Sequence, residues 1–166
     1  MDADQKKTAL RMIPYGLYVL AAETDEGVTA ATVNWVTQTS FDPPLVAVGI
    51  KKDSGGYSIV KSSGSFALSV LGKGQQDAAF AFFKPVEREG ENIGGQPFRT
   101  GSTGAPILAA APAHVECRVV EVVEVGDHHV FVGEVVDAGV SGTIDGRPDE
   151  ASLHMRDLGE KTFYGG

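Results

Sequence analysis

Two groups of residues in this chain have types and spacing suited to chemistry. The first is Lys51-Lys52 followed by Ser54-Gly55-Gly56. Two ammonium groups, a hydroxyl and two unobstructed backbone amides stand close together, and a helix opening at Ser54 would add its dipole. That is equipment for holding a phosphate. The second is Thr32, Asn34, Trp35, Thr37, Gln38 and Ser40, small polar and amide side chains around one large aromatic. In one continuous strand Thr32, Asn34, Gln38 and Ser40 would share a face, with Trp35 and Thr37 on the other. Such a strand can offer amide partners to the edge of a flat polar ring and an apolar wall to its body. The same patterns also describe a solvated basic turn and an edge strand with one wet face. Spacing alone leaves both readings open.

Other chemistries lack their signatures. His128 and His129 are adjacent, so in a strand one can reach a pocket while the other faces solvent; His114 and His154 are isolated. No H-x-H, H-E-x-x-H or C-x-x-C spacing occurs, and no metal site is expected. The single Cys117 excludes an internal disulfide framework. There is no G-x-S-x-G elbow, and the glycines from Gly90 to Gly95 do not form a Rossmann fingerprint after a strand. The net charge of −8, with basic residues clustered only at Lys6-Lys7 and Lys51-Lys52, argues against a nucleic-acid partner. No apolar run approaches membrane-spanning length, and the start M-D-A-D-Q-K-K lacks a leader's apolar core. A cytoplasmic protein without a membrane segment is expected.

The elements that must position these residues follow from periodicity. Asp4–Met12 reads as a helix capped by Asp4 and stopped by Pro14. Gly16–Ala22 is a continuous apolar run, hence a buried strand, and turns at Thr24–Gly27 into a strand over Val28–Thr39. Asp42-Pro43-Pro44 breaks that strand, and Leu45–Ile50 is its short buried successor. A helix is predicted from Ser54 to about Ser62, a strand over Ser65–Leu71 and a short helix over Gln75–Phe83. Lys84–Gly104, broken by five glycines and Pro97, reads as a long binding loop or flap that controls access. His114–Val125 and His128–Gly139 alternate around Gly126-Asp127 and form the clearest hairpin. Tight turns between strands point to a mainly β, antiparallel Greek-key barrel with short flanking helices, one domain over residues 1–166.

At this point the residues resemble a known family. T-A-A-T-V-N-W-V-T-Q-T-S-F-D-P-P-L-V-A-V-G-I-K-K-D-S from Thr29 resembles the FMN-binding stretch of the flavin reductase-like split-barrel proteins. M-I-P-Y-G-L-Y-V-L from Met12, G-D-H-H-V-F-V-G-E-V from Gly126 and the ending L-H-M-R-D with a terminal Y-G-G resemble further family motifs, in the family's order. The resemblance implies a six-stranded split barrel, homodimeric, with FMN (FAD as the alternative) near the dimer interface and NAD(P)H as co-substrate. It places Thr32, Asn34, Trp35, Val36, Thr37, Gln38 and Ser40 along the isoalloxazine and ribityl part. Gly49, Ile50, Lys51 and Lys52 lead to the phosphate, Ser54 binds it, and His128 sits catalytically on the nicotinamide side. Electrons would pass to free flavin, oxygen, a monooxygenase or another partner; a flavoredoxin-like carrier without nicotinamide turnover is the alternative. One departure stands out. The family often has a second Ser or Thr two residues after Ser54, where this chain has Gly56.

Overall fold

A computed structural model describes all residues from Met1 to Gly166. Helix α1 (Ala3–Arg11) is capped by Asp2, two residues earlier than expected, whose carboxylate accepts the Gln5 N–H at 2.8 Å. Strands β1 (Tyr18–Thr24), β2 (Gly27–Val33), β3 (Val36–Phe41) and β4 (Pro44–Lys51) follow. Next come α2 (Gly55–Ser63), β5 (Ser65–Val70) and α3 (Gln76–Ala81). The short strands β6 (Arg88–Glu89), β7 (Asn92–Ile93), β8 (Gln96–Thr100) and β9 (Pro106–Leu108) precede the long pair β10 (Ala113–Val123) and β11 (His128–Val140). A short helix, α4 (Pro148–Ala151), and a 3-10 turn over Met155–Leu158 complete the chain.

The main sheet is antiparallel, in the order β2-β1-β5-β10-β11-β4-β3. Its two edge strands are consecutive in the chain, joined only by Asn34 and Trp35. A flat sheet of seven strands would hold its edges roughly 29 Å apart. The three Cα steps from Val33 to Val36 span at most about 11 Å. The sheet must therefore roll until its edges meet at this corner, while no ladder joins β2 to β3. Register shifts in β10 at Glu116/Cys117 and Val119/Glu121 supply bends for the roll.

The expected count of six strands becomes seven because Val28–Thr39 is not one strand. It divides at Asn34-Trp35, where the chain leaves one sheet edge for the other. The expected sharing of one face by Thr32, Asn34, Gln38 and Ser40 fails for the same reason: alternation does not carry across the corner.

Burial explains the sequence patterns. In β1, Val19 and Ala21 enter one hydrophobic cluster and Leu20 and Ala22 another, so both faces are apolar and the strand reads as a continuous run. The second cluster joins Leu20, Phe66, Leu68, Cys117, Phe131 and Val48 from strands far apart in the sheet order, and so fills the inside of the roll, with Val60 of α2 packed in. The other cluster lies outside, where Phe82, Ile93, Phe98, Leu108 and Leu153 cover the sheet. Burial pushes the Cys117 thiol up to about 12, which leaves it inert as a nucleophile.

Lys84–Gly104 differs from the expected flap. Strands β6, β7 and β8 pair there, and with β9 they form a second, four-stranded sheet. Ile93 and Phe98 anchor it in the outer core. Its strands run to only two to five residues, too short to show a period. The turn Gly101–Gly104 is fastened by Glu116, 1% exposed, whose carboxylate accepts the N–H and hydroxyl of both Ser102 and Thr103.

A Cβ on Gly133 would lie 2.7 Å from Phe66 Cζ and 2.8 Å from Cys117 Cβ, so Gly133→Ala should lower unfolding free energy by about 1–3 kcal/mol in a denaturant titration. For Glu116, burial opposes ionisation, but the four hydrogen bonds outweigh it and hold the carboxyl below its ordinary 4.5. Its contribution is complete above that value and is lost as pH falls through the lower folded value. The stability gap between wild type and Glu116→Gln should thus be constant above pH 4.5 and shrink below it.

Candidate functional site

A cavity of about 490 Å³ opens at the corner where the rolled sheet meets itself. That volume lies within the roughly 300–1,000 Å³ of small-molecule sites. Strand β2 contributes Thr29, Ala31, Thr32 and Val33, and the corner contributes Asn34. Gly49, Ile50 and Lys51 line it from the end of β4, Ser54 and Gly56 from the start of α2, and His128 from the start of β11. Leu17, Leu20, Phe82, Phe83 and Met155 supply apolar wall, and Thr162, Phe163 and Tyr164 close it from the C-terminal tail.

Pairing brings these groups together. His128 lies opposite Lys51 in the β11–β4 ladder, so both side chains reach the same end of the sheet. Ser54 caps α2: its Oγ accepts the Tyr57 N–H at 3.3 Å and donates to the Lys51 carbonyl at 2.7 Å. Lys51 pairs with Asp53 at 3.3 Å, with both side chains more than half exposed, an arrangement that holds the ammonium only weakly. The N-terminal amides of α2 thus stand beside the Lys51 cation and the hydroxyl-bearing Ser54 and Thr29, a set that fits a phosphate.

His128 is held at both ring nitrogens, with Nδ1 2.9 Å from Asp127 Oδ1 and Nε2 2.8 Å from the Tyr164 hydroxyl. A neutral ring that donates from Nδ1 to the carboxylate accepts the phenol O–H at Nε2. The His128 hydrogen bond holds the Asp127 carboxyl below its usual range, and burial raises the Tyr164 phenol. Trp35 packs behind them, its ring centroid 4.5 Å from His128 and 5.5 Å from Tyr164, against the bare backbone of Gly49. Its indole N–H is buried without a partner.

The predicted residues divide. Thr32, Asn34, Gly49, Ile50, Lys51, Ser54 and His128 line the cavity. Trp35 supports it from behind. Val36, Thr37, Gln38 and Ser40 run along β3 outside it, where the side chains of Thr37 and Gln38 are exposed and make only local hydrogen bonds. Lys52 is exposed beyond the cavity. The Thr32 hydroxyl donates to the Ala79 carbonyl at 2.7 Å and ties β2 to α3. No residue of Lys84–Gly104 lines the cavity; the covering segment is the tail. Asn34 Nδ2 donates to the Tyr164 carbonyl at 3.0 Å, Arg11 Nε donates to the Gly165 carbonyl at 3.3 Å, and the Arg11 guanidinium lies 4.3 Å over the Phe163 ring. Tail residues 162–164, Thr29 and the apolar wall escaped sequence reasoning, because nothing local to residue 164 signals its return to residues 34 and 128.

Residues 10–157 match the flavin reductase like domain. The chain belongs to this family. Among its flavin reductase-like relatives is a ferric-chelate reductase (NAD(P)H) of Archaeoglobus fulgidus, 36% identical over 136 residues, covering 80% of this chain and 79% of the relative. Diflavin flavoprotein A 1 of Synechocystis is 32% identical over 142 residues, 85% of this chain; the chain spans only 25% of that relative's length. The solved structure of the Streptomyces globisporus NADH:FAD oxidoreductase SgcE6 superposes with a TM-score of 0.74 at 28% identity, covering 92% of this chain and 87% of that one. The flavin reductase-like fold is thereby established.

In this flavin reductase-like chain, the Asn34 amide carries the link between corner and tail. Asn34→Ala should speed amide exchange over residues 162–166, measured by hydrogen–deuterium mass spectrometry, at a stability loss of about 1 kcal/mol. Unchanged protection would show that the tail is held elsewhere.

Proposed function

We propose that this chain is an FMN-binding, NAD(P)H-dependent oxidoreductase of the flavin reductase type, acting as one domain over residues 1–166. The observation that carries the proposal is the convergence of Lys51, Ser54 and the α2 N-terminus with Asn34, Ile50 and His128 on one apolar-walled cavity. Lys51 and the α2 amides would hold the phosphate, and Ser54 would join them by turning its one hydroxyl proton from the Lys51 carbonyl to a phosphate oxygen. Asn34 keeps one amide hydrogen and its carbonyl for a ring edge, and Gly49 and Ile50 offer backbone along the same wall. FAD carries the same ring and first phosphate, so the same residues would serve it. Bound flavin would supply the redox chemistry, taking a hydride from reduced nicotinamide and passing electrons to free flavin, oxygen, a monooxygenase or another partner.

The protein's own part is position and proton handling. Asp127 fixes the His128 ring with the proton on Nδ1, which leaves Nε2 to accept from the carboxamide of a nicotinamide once Tyr164 gives way. His128 is the proposed catalytic residue, and Tyr164 is the group nicotinamide exchanges with.

A second copy of this chain would complete the assembly. Phe41, 92% exposed at the end of the β3 edge, is a residue such a copy would cover. Thr37, Gln38 and Ser40, placed outside the cavity, would then serve at that interface. A free thiol and no helix long and apolar enough to cross a membrane suit the proposed cytoplasmic location.

The alternative is an electron carrier without nicotinamide turnover. The Tyr164 hydroxyl on His128 Nε2 favours it, because the nicotinamide side is already covered. An absorbance spectrum after FMN loading and removal of free flavin, followed by anaerobic NADH or NADPH, separates the two. The proposal expects a bound flavin band that bleaches, and about 10²-fold slower bleaching in His128→Ala with FMN still bound. A bound band that never bleaches would establish the carrier instead.

A further inference from the structure

Gly56 stands where the family often carries a hydroxyl, and the structure accounts for the exchange. A Cβ on Gly56 would fall 2.8 Å from Thr29 Oγ1, so the space of a side chain at position 56 is already taken by the hydroxyl of a neighbouring strand. Thr29 is 8% exposed. Its hydroxyl makes no hydrogen bond within the protein and, unlike the sealed Trp35 indole N–H, opens on the cavity. Thr29 lines the same cavity as Lys51, Ser54 and Gly56. The N–H groups of Gly55 and Gly56, in the first turn of the nine-residue α2, meet no backbone carbonyl. An unpaired hydroxyl, the Gly56 amide and the Lys51 cation thus border one volume, with the Gly55 amide next to it in the chain.

We propose that Thr29 is a phosphate ligand: its hydroxyl donates to one oxygen of a phosphate whose terminal oxygens together also receive the Gly55 and Gly56 amides and the Lys51 ammonium. Thr29 Oγ1 stands 2.8 Å from where a Cβ at position 56 would lie, so the glycine leaves the hydroxyl its place. Strand β2 fixes Thr29 more firmly than a helix end could, since Thr29 pairs with Ala22 inside the β1–β2 ladder. Thr29 positions the cofactor and takes no part in the redox step. The inference rests on the flavin-binding reading above.

The test compares two flavins that differ only in the phosphate, FMN and riboflavin, by quenching of flavin fluorescence with wild-type protein, Thr29→Val and Thr29→Ser. Valine keeps the shape and removes the hydroxyl, which has no internal partner, so the melting temperature should not fall. FMN should bind Thr29→Val about 10- to 100-fold more weakly, the loss of one hydrogen bond to a charged group. Riboflavin should bind both proteins equally, and Thr29→Ser should restore FMN affinity. In Thr29→Ala/Gly56→Ser the hydroxyl is placed on the helix, and FMN should bind more tightly than to Thr29→Ala. Equal losses for FMN and riboflavin, or no loss for either, would overturn the role of Thr29. Wild-type protein that binds riboflavin as tightly as FMN would overturn the phosphate subsite and leave flavin binding standing. Wild-type protein that binds neither would overturn the flavin reading itself and this inference with it.

Discussion

The fold depends on a connection two residues long. Asn34 and Trp35 join the opposite edges of a seven-stranded sheet, so the sheet has to roll, and what rolls it also makes the site. At such a corner two strands part, their side chains point into the gap, and backbone groups lose their ladder partners. The Gly49 N–H reaches the Trp35 carbonyl at 2.9 Å, and the Thr32 N–H reaches the Phe82 carbonyl at 3.1 Å. The cavity lies where regular pairing stops, as a binding site in an antiparallel roll should.

Rigid elements converge on that gap. Strand β4 ends there and turns through Lys51 and Ser54 into α2, while β11 begins there with His128. Each polar group is held by the end of an element whose body is buried in the core, so the site inherits its precision from Phe66, Leu68 and Phe131 within the roll. The tail is different. It reaches the site through side-chain bonds to Asn34, His128 and Arg11, with little buried apolar surface of its own, and is the part best suited to move.

Much of this was legible in the sequence. The β10–β11 hairpin, the buried β1 run and the Ser54 cap announced themselves because each rests on local rules of alternation, double-faced burial and helix capping. The grouping of Lys51, Ser54 and Gly56 on one cavity was legible for the same reason, since these residues lie within six positions of one another. The corner was not. Val33 and Val36 look alike in a periodic reading, and only the sheet order separates them. Two-residue strands at Arg88–Glu89 and Asn92–Ile93 carry no period, so the second sheet read as a flap. Thr29 and Tyr164 reach the cavity through contacts across the fold, which no spacing in the chain encodes.

The central claim is that FMN binds in the corner cavity with its phosphate at the start of α2. Backbone amide NMR shifts during titration with FMN test it most directly. The account predicts the largest shifts at Gly55 and Gly56, with further shifts at Asn34, Trp35 and His128 and little change along β6–β8. Shifts that spare Gly55 and Gly56 and cluster elsewhere, or no shifts at saturating FMN, would contradict it.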